Sequence, residues 1–213
     1  QVGEQSKALS LLTEMRRIGL QRSGVSYLTA ISACSRVGDW ERALSLLDEM
    51  RTDGIEPDLK CYSAAISACG HGMQWNEAVS LLTDMRARGI IPNEFCYNAA
   101  ISACGKSSRW KHAIELMKEM ESGKLGVWPD MITYNAVIDA CGKSGRWRES
   151  LEILQDMRAR ADEPSVRGSD APPPPIPDAT TYGTAITACS KGKQWKIALM
   201  LLEDMQAQVR EPN

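Results

Sequence analysis

Histidine is nearly missing from this chain, which has only His71 and His112, and none of its seven cysteines stands in a C-x-x-C pair. Those two absences exclude the ligand spacings of a structural zinc site. The H-x-E with C-x-x-C pattern of a zinc deaminase and any glycine-rich phosphate loop are missing too, so no enzyme signature and no cofactor site is expected. Charge of one sign is also lacking. With a formal net charge of −2 there is no broad electrostatic pull toward nucleic acid or membrane, and only local basic clusters can act. No apolar run is long enough to span a bilayer, so no membrane insertion is expected. Large aromatics are scarce, with a single Phe95, and Ala, Leu, Ile, Met and Cys are left to fill a narrow core between thin helices.

What the chain does have is repetition. YSAAISACGHGMQWNEAVSLLTDM, YNAAISACGKSSRWKHAIELMKEM and YNAVIDACGKSGRWRESLEILQDM are near copies. Tyr27, Tyr62, Tyr97, Tyr134 and Tyr182 mark five units. Cys34, Cys69, Cys104, Cys141 and Cys189 keep the same intervals, as do Trp40, Trp75, Trp110, Trp147 and Trp195. Such a period marks a stacked array whose units bury their apolar faces against one another.

Within one unit, Tyr97, Ala100, Ile101 and Cys104 recur at the spacing of one helical face; Gly105 to Ser108 break the pattern, and WKHAIELMKEMESG forms a second amphipathic segment. Each unit is therefore expected to be a helical hairpin. Glycine stops the second helix at Gly54, Gly89 and Gly123, and a proline with Asp or Asn behind it leads into the next unit. Complete units are expected at 24–58, 59–93, 94–130, 131–178 and 179–213. Residues 1–23 form the second half of another unit, which suggests a longer parent chain. The fourth unit carries a proline-rich insertion at about 161–177, read as a solvated spacer.

These units resemble pentatricopeptide repeats, on the evidence of the early tyrosine with a polar residue after it, the alanine early in the second helix and the closing G-x-x-P-D/N. The resemblance implies an all-α right-handed superhelical solenoid that binds single-stranded RNA one base per repeat, in a chloroplast or mitochondrion. It assigns base reading to the residue after the tyrosine together with the residue that closes the unit: Leu28 with Asp58, Ser63 with Asn93, Asn98 with Asp130, Asn135 with Asp178, and Gly183 with Asn213. By the family's correspondence the middle three units read A-U-U. Leu28 and Gly183 offer no side-chain hydrogen bond, so the end units should discriminate poorly. The resemblance also implies base sandwiching by the second residue of each unit, which Val25, Phe95 and Ile132 suit and Lys60 and Thr180 do not.

A basic residue stands two places after each aligned cysteine: Arg36, His71, Lys106, Lys143 and Lys191. This row suits phosphate contact, although a cation at a helix C-terminus also complements the helix dipole. The cysteines and tryptophans read as packing residues, and Trp128 stands outside the series. Two readings compete: a scaffold subunit of an organellar ribosome or another large assembly, binding protein as well as RNA, and an auxiliary region of a larger enzyme whose catalytic domain lies outside this sequence.

Overall fold

The structure, a computed structural model, describes residues 2–162 and 172–210. Among these residues it contains eleven α-helices and no strand. They are α1 (Val2–Arg17), α2 (Gly24–Val37), α3 (Trp40–Thr52), α4 (Leu59–His71), α5 (Trp75–Ala87), α6 (Glu94–Lys106), α7 (Trp110–Glu121), α8 (Met131–Lys143), α9 (Trp147–Asp162), α10 (Ala179–Lys191) and α11 (Trp195–Arg210). The chain divides into two compact units, Gln1–Ala103 and Cys104–Asn213. In the first, α2 packs on α1, α3 and α4, and α4 on α3 and α5; in the second, α8 packs on α7, α9 and α10, and α10 on α9 and α11. Of the proline-rich insertion, residues 163–171 lie outside the described residues. Residues 172–178 run without regular structure to the start of α10.

The first helix of each hairpin begins at a short polar side chain that accepts an otherwise unpaired amide. Ser23, Asp58, Asn93, Asp130 and Asp178 accept from the amides of Ser26, Cys61, Cys96, Thr133 and Thr181 at 3.3, 2.9, 3.1, 2.8 and 2.8 Å. Each cap stabilises its helix by about 1 kcal/mol. Buried Pro57, Pro92, Pro129 and Pro177 precede four of these caps and fix the chain's approach.

The turn to the second helix needs one residue in the left-handed region. Gly38 (φ 75°) and Gly145 (φ 71°) adopt it freely, whereas Met73 (φ 57°), Ser108 (φ 56°) and Lys193 (φ 58°) hold it against the clash of a Cβ. Met73→Gly and Lys193→Gly are each expected to raise the unfolding free energy by about 0.5–1 kcal/mol. Chemical denaturation checks this; a lowered midpoint would mean that the side chain's contacts outweigh the strain.

Small residues set how closely successive hairpins approach. A Cβ built on Gly70 would lie 3.2 Å from the Ala99 carbonyl oxygen, one on Gly105 3.0 Å from Ala140 Cβ, and one on Gly142 2.8 Å from Ala188 Cβ. The tryptophans act at the turns. Each of the five opens a second helix, and the rings of Trp40 and Trp147 lie against Gly72 and Gly192 of the following hairpin so closely that a Cβ there would overlap them. Trp128, outside the series, covers Gly123 in the same manner.

The aligned tyrosines and cysteines form the core. Tyr27, Tyr62, Tyr97, Tyr134 and Tyr182 are at most 1% exposed and the five aligned cysteines are fully buried. Burial pushes the thiols of Cys69, Cys104 and Cys141 up to about 12, so they stay protonated and pack as small apolar groups. Three tyrosine hydroxyls reach carboxylates held by arginine. Tyr27 donates to Asp53 (2.8 Å) beside Arg22, Tyr62 to Asp84 (2.6 Å) beside Arg51, and Tyr134 to Glu121 (3.1 Å) beside Arg160. Arg51 and Asp84 lie on α3 and α5, so this pair ties two hairpins across one tyrosine. The hydroxyls of Tyr97 and Tyr182 are buried with no hydrogen-bond partner among the described residues.

Candidate nucleic-acid interface

Periodicity along each first helix places three side chains above one another, four residues apart. In α2 they are Leu28, Ser32 and Arg36; in α4, Ser63, Ser67 and His71; in α8, Asn135, Asp139 and Lys143; in α10, Gly183, Thr187 and Lys191. Such residues share one helical face. In the first compact unit that face opens into a cleft of about 590 Å³. Leu28, Arg36, Lys60, Ser63, Asn93 and Phe95, all singled out from sequence, line it together. Phe95 is 55% exposed there, an aromatic surface that no neighbouring side chain covers completely. Ser32, Ser35 and Ser67 also line the cleft, and sequence reasoning passed over them. The signal was available, since a serine recurs four residues after the reading position in Ser32, Ser67 and Ser102.

Hydrogen bonds fix the polar groups at the cleft. The Ser63 hydroxyl donates to the Leu59 carbonyl at 2.7 Å and lies 3.1 Å from Cys96 Sγ, so a cysteine assigned to packing also contacts a candidate reading residue. Asn93 Oδ1 accepts the Cys96 amide proton, which leaves the Nδ2 amino group to donate elsewhere. Asp58 and Asp178 make the same cap through Oδ1 but carry a second oxygen, a pure acceptor. The Thr181 amide holds the Asp178 carboxyl below its ordinary range, so it is ionised at neutral pH. At Asp58, burial opposes ionisation, but hydrogen bonds from the Cys61 amide and thiol and the Lys60 amide outweigh it and lower the pKa.

The remaining candidate reading positions are placed as follows. Asn98 and Asn135 are half-buried on α6 and α8, Gly183 is exposed on α10, and Asp130 caps α8. Asn135 Oδ1 is buried without a hydrogen-bond partner among the described residues. Asn213 lies outside the described residues. Val25 and Ile132 are 73% and 65% exposed at the starts of α2 and α8, and exposed Lys60 and Thr180 occupy the same position in α4 and α10. All five basic residues sit in the last turn of a first helix, exposed. His71 Nδ1 contacts the Ser35 carbonyl oxygen of the preceding hairpin at 2.9 Å, and Lys143 pairs with Asp139 at 2.6 Å. Among the described residues no group of three or more His, Cys, Asp or Glu side chains could hold a metal ion.

Comparison with known proteins gives a consistent set of matches. A family model described as the pentacotripeptide-repeat region of PRORP matches residues 7–166, and a PPR repeat model matches residues 180–208. Pentatricopeptide repeat protein PPR10 from maize is 31% identical over 100% of this chain, with a TM-score of 0.75. The same protein in complex with an 18-nt psaJ RNA element is 28% identical over 99% of this chain, with a TM-score of 0.66. This chain spans only 28% and 32% of those two structures. The PPR domain of Arabidopsis thaliana protein-only RNase P 1, in complex with tRNA, shares the fold at 16% identity, with a TM-score of 0.63 over 86% of this chain and 89% of that one. No curated protein matches significantly.

Proposed function

The chain belongs to the pentatricopeptide repeat family, and from that premise we propose that it binds single-stranded RNA sequence-specifically, one base per repeat, with A-U-U read by its middle repeats. The cleft of the first compact unit carries this reading. It gathers a hydroxyl (Ser63), an amide (Asn93), an aromatic face (Phe95) and two cations (Lys60 and Arg36), which are the groups needed to bond, stack and neutralise one splayed nucleotide. PPR10, similar in sequence and fold, has been crystallised with an RNA element. On this reading the chain acts in a chloroplast or mitochondrion, in processing, stabilisation or translation of transcripts, by occupancy of a site and not by catalysis.

The caps supply a physical basis for the base preference. With Oδ1 committed to an amide proton, Asn93 offers a donor, which suits the bare ring nitrogen on the Watson–Crick edge of adenine. Asp178 offers an acceptor, which suits the N–H at the same place in uracil. Binding to a panel of short RNAs tests the assignment. Selection of A-U-U over its permutations is expected, and equal affinity for all of them would refute the code in this chain.

Phosphate contact predicts a separate signature. Lys191→Ala should weaken binding to every RNA alike, leave base preference intact and lower the slope of log K against log salt by about 0.7. Titrations at several salt concentrations measure this, and an unchanged slope would return Lys191 to a helix-end role.

A further inference from the structure

Between the reading residue and the cation on each first helix stands a middle residue, and in four units it carries a neutral hydroxyl: Ser32, Ser67, Ser102 and Thr187. In the fourth unit it is Asp139, one turn from Asn135 and one turn from Lys143. Its Oδ2 lies 2.6 Å from Lys143 Nζ, and both side chains are 45% exposed. This intrahelical ion pair occupies the side chain that the fourth repeat would offer to phosphate. Ser32 and Ser67, at the same position, line the open cleft of the first unit and carry no charge.

We infer that Asp139 limits RNA affinity by holding Lys143 in an ion pair that an RNA phosphate must displace. The inference rests on the RNA-binding reading and concerns strength, not base choice. A phosphate arriving at the fourth repeat meets a neutral pair instead of a free ammonium and releases no counterion there, so that repeat adds base reading with little backbone grip. The pair is also open to water, so it can exchange for a phosphate at modest cost.

The test is a cycle of Asp139→Ser, Lys143→Ala and the double variant in the whole chain, titrated with an A-U-U RNA and a scrambled RNA at several salt concentrations. Asp139→Ser is expected to tighten binding to both RNAs by about two- to fivefold and to steepen the salt slope by about 0.7. Adding Lys143→Ala should erase that gain. In the opposite sense, Thr187→Asp in the fifth repeat should capture Lys191 and weaken binding by about two- to fivefold. An equal gain from Asp139→Ser with and without Lys143 would show that the carboxylate acts by repelling RNA through space, and would overturn the inference alone. No change with Asp139→Ser would do the same. Failure of every variant and of the parent chain to bind RNA would overturn the proposed function with it.

Discussion

Asn135→Ser combined with Asp178→Asn should move the preference of the fourth repeat from uracil to adenine. The shift should be on the order of tenfold or more, since one well-formed base-edge contact discriminates by about 1–3 kcal/mol. Ser63 with Asn93 already forms the recipient pair at the cleft of the first compact unit, so the exchange copies a constellation the chain contains. Asp178→Asn keeps an oxygen to accept the Thr181 amide, and α10 should therefore retain its start. Equilibrium binding with RNAs differing at that one base reads the outcome, with thermal unfolding as the control. An unchanged preference in a protein of unchanged stability would remove the code from this repeat.

Gly142→Val is expected to have the largest structural effect. A Cβ at Gly142 already falls 2.8 Å from Ala188 Cβ, between α8 and α10, and valine adds two methyl groups to that carbon. Overpacking of this kind costs about 1–3 kcal/mol, so the denaturation midpoint should fall clearly. RNA binding should weaken for all sequences together, because the change moves whole helices that carry readers and alters no single reader. Gly142→Ala is the milder control: its gain in helix propensity of about 1 kcal/mol opposes a smaller clash. A valine variant of full stability would mean that the seam between α8 and α10 yields more readily than its geometry implies.

The helical architecture was legible because two independent periods agree. Tyr97, Ala100, Ile101 and Cys104 mark a helix face within one unit, and the same letters return in every unit apart from Val137 for alanine in the fourth, so local amphipathicity and stacking point to one fold. The buried tyrosines and cysteines occupy the positions this pattern assigns to the core. Trp128 was opaque from the sequence because its role depends on contact with Gly123 in the link between α7 and α8. The candidate site was legible in part. The residues that line the cleft were found through the family's pattern, but the bond from Ser63 to Leu59, the nearness of Cys96 and the pairing of Lys143 with Asp139 depend on rotamers that no spacing specifies.

The residue that closes each unit also begins the next helix, and this narrows the routes by which such an array can acquire new targets. A replacement at Asp58, Asn93, Asp130 or Asp178 that cannot accept an amide proton costs about 1 kcal/mol of helix stability, which favours Asp, Asn, Ser and Thr at these positions. Exchange between Asp and Asn satisfies folding equally well while inverting donor and acceptor at the outer atom, and it requires one transition in the codon. On the proposed reading, target choice can therefore shift along a path that is nearly neutral for stability, while an apolar substitution at the same position also carries the cost of a lost cap.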